Sequence, residues 1–405
     1  MNVLFLTSGM PYPPHSGGQL AQFETLKRLS AMADIHLRVV SASLDADAVG
    51  CSVMHRYCVS LKLFAATPEF PEDSSSSVPQ RIRQHQCDAM RQEIADLLAA
   101  NRIDVIHVQG YYLAQHVPAN ASVPMLLFEE NIEYLLDRDR HRLAIGLATE
   151  PPWTVSREFE HAAWRRATMC GVVCEDDRRQ MAADVPVLRV RLLPDGWDHL
   201  RRECGGDSRE NSGNHRVGFL GNYSWPPSED GAIFLLERLW PQIRARVNAA
   251  ELVLAGANPT SRMLELARDS DGVTVTGTIP SVGPLLERTD VFLCPLRVGG
   301  GIKVKMIEAL SSGCAVVSTS VGAQGLPLPI RDALIVADTP EDLIEATVTL
   351  LRNAEARQGL GARAAAVARH LPSWNDAAEL IRRCWSDLAD GGNGDGNGLD
   401  GRDGP

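Results

Sequence analysis

Residues 295–326 read PLRVGGGIKVKMIEALSSGCAVVSTSVGAQGL, and the reading of this stretch decides the fold. It is preceded by the short apolar run VFLCPL (Val291 to Leu296) and contains a second, AVVST (Ala315 to Thr319). Two apolar strands separated by a helix-length segment predict a βαβ crossover. Gly299, Gly300 and Gly301 let bare backbone come close to whatever sits at the first strand's carboxyl end. A helix that opens there aims unpaired N–H groups at its ligand and favours negative charge. The chain has only four lysines, Lys27, Lys62, Lys303 and Lys305, so two of them two residues apart at this point carry weight. Glu308 follows Lys305 by three residues, about one helical turn on and close to the same face. A cationic, amide-rich helix start with a carboxylate one turn later matches the phosphate-to-ribose spacing of a nucleotide. Read without its context, the same segment is a plain turn followed by solvated charges, because one Gly-rich loop is weak evidence.

Outward from this stretch, short apolar runs alternate with helical patterns along most of the chain. The first half offers VLFL, HLRVV, CVSLKLF, VIHV, PMLLF, GVV and VRLLP as strands; from Arg216 onward come VGFL, ELVLAG, VTVTG, VFLCP, AVVST and LIVAD. Two successive alternating sets predict two doubly wound α/β domains, with ligands bound at the carboxyl ends of parallel strands in a shared cleft. The expected divisions are a first Rossmann-like domain over 1–197, a polar linker over 198–215, a second Rossmann-like domain over 216–371, a helix over 372–388 and a disordered tail over 389–405. The Pro- and Ser-rich segment Thr67 to Gln80 is expected to be a mobile loop on the acceptor side.

Composition narrows the function classes. A chain of 405 residues with 44% hydrophobic content can bury two sizeable cores. A formal net charge of −11 argues against a general nucleic-acid binder, while leaving room for a local basic site. No run of about 18 apolar residues occurs, so no transmembrane helix is expected; the start MNVLFLTSG reads as a first strand and makes the cytosol the expected compartment. Peripheral membrane contact stays open. The nine cysteines are scattered without paired CxxC spacing, which supports neither a zinc site nor a disulfide framework. The triplet Asp137-Arg138-Asp139 has the look of a metal-binding DxD, but positions two apart on a helix do not face each other, so a solvated face is expected and no metal site. The acidic, Gly-rich tail lacks calcium-loop spacing.

The segment around Glu308-Ala309, Gly313, Ala315 to Thr319 and Gly322-Ala323 resembles the nucleotide-sugar motif of family 4 type glycosyltransferases with the GT-B fold. Other stretches extend the resemblance in the family's order. PYPPHSGGQ (Pro11 to Gln19) is similar to its first Gly-rich loop, IDVIHVQG (Ile103 to Gly110) to its Asp-Val-x-His strand, ENIEYLLDR (Glu130 to Arg138) to its His-Asn-x-Glu stretch, and LLPDGWD (Leu192 to Asp198) to its Pro-Asn-Gly-x-Asp junction. The triple-Gly, Lys-bearing loop resembles a branch of bacterial sugar transferases. What the resemblance implies is a GT-B glycosyltransferase of hexosyltransferase type, with an acceptor-binding first domain, a nucleotide-sugar-binding second domain and a helix over 372–388 that crosses back to the first, moving a sugar from a UDP- or GDP-sugar, UDP favoured, to an acceptor hydroxyl with retention. The catalytic expectation falls on Lys303, Lys305, Glu130 and His107. The donor expectation falls on Gly17, Gly18, Gly221, Asn222, Gly277, Thr278, Gly300, Gly301, Ile302 and Glu308. No metal or resident cofactor is expected, since lysines and a helix start can stabilise the departing diphosphate themselves.

Three departures accompany these matches. The family's first glutamate would fall at Gly300. Its Arg and Lys pair after the first strand of the second domain is missing from FLGNYSWPPSEDG (Phe219 to Gly231), leaving Lys303, Lys305 and Arg297 as replacements. Glu130 stands where the family has a histidine that contacts the donor sugar; with Glu129 it is expected at the cleft mouth, binding sugar hydroxyls or taking the acceptor's proton, or else only favouring a helix start. His107, on a buried strand, is as readily a satisfied core histidine as a donor or base. Sugar, lipid-linked and natural-product acceptors all stay open. Two alternatives remain: a nucleotide-sugar epimerase or hydrolase of the same architecture, and a non-catalytic partner subunit.

Overall fold

A computed structural model describes residues 1–67, 77–100, 102–145, 152–198 and 215–391. The linker expectation over 198–215, the loop over 67–80 and the tail over 389–405 fall largely or wholly outside these residues.

All thirteen expected strands form. The first seven are β1 (Asn2–Ser8), β2 (Asp34–Ser41), β3 (Ser60–Ala65), β4 (Val105–Gln109), β5 (Met125–Glu129), β6 (Met169–Val172) and β7 (Val190–Leu192). They build one parallel sheet in the order β3-β2-β1-β4-β5-β6-β7. The remaining six are β8 (Arg216–Leu220), β9 (Glu251–Ala255), β10 (Val273–Gly277), β11 (Val291–Cys294), β12 (Ala315–Ser318) and β13 (Ile335–Val336). They build a second parallel sheet, β10-β9-β8-β11-β12-β13. Parallel neighbours need helical crossovers, so both sheet faces are covered and the strands read as near-continuous apolar runs. Val3 to Leu6 and Val291 to Cys294 are fully buried in this way.

In each sheet the strand order reverses beside its first strand, between β1 and β4 and between β8 and β11. A crevice opens at the carboxyl ends of such a pair. It falls at Ser8 and Gln109 in the first half, and at Leu220 and Cys294 in the second.

The helix Trp374–Ala389 opens with a capping box between Ser373 and Asp376. Its apolar residues Ala378, Ile381, Trp385 and Leu388 recur at helical spacing and bury against Val3, Phe5, Val105 and Leu126 of the first sheet. The two passages between the halves touch, with Trp197 N donating to Pro372 O at 2.9 Å and Trp374 N to Asp198 Oδ1 at 2.8 Å. A β-carbon on Gly196 would stand 2.3 Å from Trp374 N, so only glycine allows that approach. The eight described cysteines are free thiols. No described helix is long and apolar enough to cross a membrane.

Candidate functional site

The second half contributes a Gly-rich loop and the helix that follows it. After β11 the chain turns through Gly299–Gly301 into the helix Val304–Ser311, whose N-cap, Lys303, makes no side-chain bond to the first turn. The helix buries Val304, Met306, Ile307, Ala309 and Leu310, leaving Lys305 and Glu308 partly exposed on another face. Gly301 adopts φ +55°, and a β-carbon there would lie 2.0 Å from Glu130 O; one on Gly300 would lie 3.1 Å from the Asn131 side chain. Gly301 is therefore required by contact with the first half as well as by the turn, and a side chain at Gly300 would crowd Asn131. Asn131, with its amide nitrogen turned toward them, donates to Glu130 O at 3.2 Å and Gly300 O at 2.9 Å. Ile302 packs against the cores of both halves.

The two lysines have different surroundings. Lys303 is 8% exposed and lies beneath the loop, its Nζ donating to Gly301 O at 3.1 Å and Gln324 Oε1 at 3.4 Å. Burial lowers its pKa to about 8, against the opposing pull of Cys294 and Asp177. Lys305 reaches toward the end of β8, where its Nζ donates to Ser228 Oγ at 3.2 Å and stands 4.6 Å from the Phe219 ring centroid. Burial lowers its pKa too, opposed by Cys294 and by Glu308 one turn on. Lys305 is thus placed for a ligand at the β8–β11 crevice, whereas Lys303 organises the loop from below. Arg297 is held in a two-bond ion pair with Asp230 over the Phe234 ring.

At the neighbouring strand ends, Gly221 N donates to Ala255 O and Gly256 N to Gly277 O, both at 3.0 Å. Asn222 Oδ1 accepts from Ser224 N, Ser224 Oγ and Asn258 Nδ2, so it shapes this rim from within. Gly277 has φ +67° and faces open space, and Thr278 beside it is exposed.

The first half contributes side chains. Glu130 follows β5, and its Oε1 accepts from Gln22 Nε2 at 3.0 Å and Gln109 Nε2 at 3.2 Å. Its Oε2 points to the start of the helix Gly17–Leu29, where a β-carbon on Gly18 would stand 2.5 Å away. A β-carbon on Gly17 would stand 2.9 Å from Val304 Cβ. Gly17, Gly18, Glu130, Gly300 and Gly301 therefore converge where the two halves meet. Burial raises the Glu130 pKa, with the two amides opposing it.

His107 does not reach this junction. It is 1% exposed, stacked on Phe5 at 4.2 Å, with Nε2 2.9 Å from Gln109 Oε1 and Nδ1 accepting from Trp385 Nε1 at 3.1 Å. Burial lowers its pKa to about 4, so the ring is neutral at ordinary pH. Glu129 also turns inward, accepting from Tyr111 N and Trp164 Nε1, and burial pushes its pKa well up. The cleft-mouth expectation for Glu129 is corrected by that inward turn. The DRD triplet divides: Asp137 is buried and accepts from Ser156 Oγ, while Asp139 pairs with Arg138.

Sequence reasoning missed Gln22, Gln109 and Arg81. Gln22 lies one helical turn beyond Gly18, and Gln109 ends the strand that carries His107. Arg81 pairs with Glu133 at 2.7 Å, and its guanidinium lies 5.2 Å from the ring centroid of Trp225, across the junction of the halves.

Residues 214–353 match the family described as Glycosyl transferases group 1. A phosphatidyl-myo-inositol mannosyltransferase of Mycolicibacterium smegmatis is 26% identical over 179 residues, 43% of this chain and 45% of that protein. An uncharacterised protein of the cps region of Klebsiella pneumoniae is 28% identical over 133 residues, 31% of this chain and 34% of that protein. The matched stretches thus span less than half the length of these relatives. Among solved structures, Anabaena HepE in complex with UDP and glucose superposes with a TM-score of 0.64 at 14% identity, covering 96% of this chain and 100% of that one. WaaG, a glycosyltransferase involved in lipopolysaccharide biosynthesis, gives 0.65 at 16% identity, covering 97% and 100%. The chain therefore has the GT-B fold over nearly its whole length and carries a glycosyl transferases group 1 region in its second half.

Proposed function

We propose that the chain is a glycosyltransferase that moves a sugar from a UDP- or GDP-sugar to an acceptor hydroxyl, with retention and without a metal. The observation that carries this reading is the convergence of the Gly300–Gly301 loop, which leads into the helix bearing Lys305 and Glu308, with Glu130 and the Gly17–Gly18 helix start of the other half. In this reading the diphosphate lies at the uncapped start of the helix Val304–Ser311 and beside Lys305, and Glu308 accepts from the ribose hydroxyls. As the acceptor oxygen bonds to the anomeric carbon, the bond to the diphosphate breaks. The departing phosphate oxygen takes the acceptor's proton, and Lys305 and the helix amides stabilise its remaining charge. Glu130 Oε2, free of the two amides on Oε1, takes a hydroxyl of the donor sugar. The complexes of HepE with UDP and with UDP-glucose make UDP the first nucleotide to try.

The test is release of nucleoside diphosphate from a panel of nucleotide sugars in EDTA, with and without sugar, lipid-linked and natural-product acceptors. Release that requires an acceptor and survives EDTA is expected. Release without any acceptor would favour a hydrolase, isomerised sugar an epimerase, and strict dependence on a divalent ion would overturn the metal-free mechanism.

A further inference from the structure

We infer that Trp385, His107 and Gln109 form a one-way hydrogen-bond relay that fixes which oxygen of Glu130 is left for the donor sugar, making His107 and Gln109 positioning residues for the transfer. The inference rests on the reading of Glu130 as a sugar-facing group. The relay's direction is set at its buried end. An indole Nε1–H can only donate. Trp385 Nε1 lies 3.1 Å from His107 Nδ1, so that nitrogen must offer its lone pair and the neutral ring must carry its proton on Nε2. Nε2–H, 2.9 Å from Gln109 Oε1, then requires the carbonyl end of the Gln109 amide to face the histidine. The NH₂ end is thereby committed to Glu130 Oε1 at 3.2 Å.

A second amide agrees with it. Thr7 Oγ1 donates to Gln22 Oε1 at 2.6 Å, which turns Gln22 Nε2 onto the same Glu130 Oε1 at 3.0 Å. Two donors converge on one oxygen, and Oε2 is left toward the Gly18 helix start. Competition from water is excluded at the start of the path, since Trp385 and His107 are fully buried and the imidazole is sandwiched between Phe5 and Phe128. The low His107 pKa, caused by burial, keeps the ring in this neutral form. Trp385 belongs to the helix Trp374–Ala389, so the seating of the last described helix is felt at Glu130, more than 250 residues earlier in the chain.

The experiment uses the full chain. Long-range ¹⁵N–¹H correlation on ¹⁵N-histidine protein should show His107 with a bare Nδ1 and a protonated Nε2; a proton on Nδ1 would overturn the relay. His107→Phe keeps the aromatic stack but removes the N–H that orients the Gln109 amide, and Gln109→Met keeps the volume but removes the donor to Glu130 Oε1. Each should lower kcat on the order of tenfold with UDP affinity unchanged, because the nucleotide is held by the other half. Glu130→Gln run beside them separates the two failures. If it is slow while His107→Phe and Gln109→Met match the parent, the relay alone is wrong; if it too matches the parent, the sugar-facing reading of Glu130 falls and the relay with it.

Discussion

The two halves of the molecule use the same parallel-sheet construction and fill it in opposite ways. Among the described residues, the second half buries only three charged side chains, of which Asp290 and Arg357 form an ion pair at 3.4 Å and Lys303 lies under the Gly-rich loop. The first half buries Arg38, Arg83, Glu129, Glu133, Asp137, Arg140, Glu160, Asp177 and Asp195, together with the neutral His107 and His116. Glu160 takes the Glu133 and Tyr134 amides, and its pKa is driven well up by burial and by Glu129. In the proposed reading the second half meets its ligand with glycines, one helix start and the side chains of Lys305 and Glu308, features that suit a constant group such as a nucleoside diphosphate. The first half presents side chains whose orientation depends on buried amide networks, which suits variable sugar and acceptor hydroxyls.

The largest effect should come from Lys305, the charge that the proposed reading puts beside the diphosphate. Lys305→Ala removes a cation that strengthens its hold as the diphosphate departs, and turnover should fall on the order of a hundredfold, with a smaller loss of donor affinity. Steady-state kinetics check this; an unchanged kcat would move the phosphate away from the β8–β11 crevice.

Next comes Gly301→Ala, which tests whether backbone contact between the halves is required. A side chain at φ +55° costs about 1 to 2 kcal/mol. Its β-carbon would also press on Glu130 O at 2.0 Å. Turnover should drop at least as much as on loss of the Gln109 amide, on the order of tenfold or more, and small-angle scattering should show the halves further apart. Parent-like kinetics and dimensions would mean that the halves do not work in this apposition.

A smaller effect separates Lys303 from Lys305. The folded Lys303 pKa, about 8, lies below its ordinary value, so between the two the unfolded chain binds more protons than the folded one. The buried charge therefore penalises the folded state below about pH 8, and the penalty fades as pH rises through the lysine's ordinary range. Lys303→Met should raise the denaturant midpoint at pH 7, with the gain shrinking toward pH 10. A loss of stability at pH 7 would show that its bonds to Gly301 and Gln324 outweigh desolvation. The smallest effect is expected at Asp139→Asn, which touches only the exposed Arg138 and should stay within about 0.5 kcal/mol of the parent in stability and leave activity unaltered.

The fold was legible because strands buried on both faces are written as unbroken apolar runs, and VFLC and AVVS could hardly be placed otherwise. Gly301 was legible as a close-approach residue, although not its partner, since Glu130 lies far away in sequence. The fates of the two lysines could not be read from their spacing. Whether an ammonium faces a crevice or lies beneath a loop depends on how residues such as Gln324 and Ser228 fold around it. Gln22 and Gln109 were invisible for the same reason: an isolated glutamine has no signature, and its meaning comes from contacts 108 and 21 residues away. His107 was ambiguous until Trp385 arrived from the other end of the chain.

The central claim is that a nucleoside diphosphate binds where the helix Val304–Ser311 begins, with Glu308 on its ribose. Titration calorimetry of UDP and GDP into the parent and into Glu308→Ala tests it most directly. Removing a charged acceptor from two hydroxyls should cost about 1.5 to 3 kcal/mol, which weakens binding by roughly 10- to 150-fold. Measurable binding to the parent, tighter for UDP, is expected, with that loss in the variant. Equal affinity in parent and variant would contradict it.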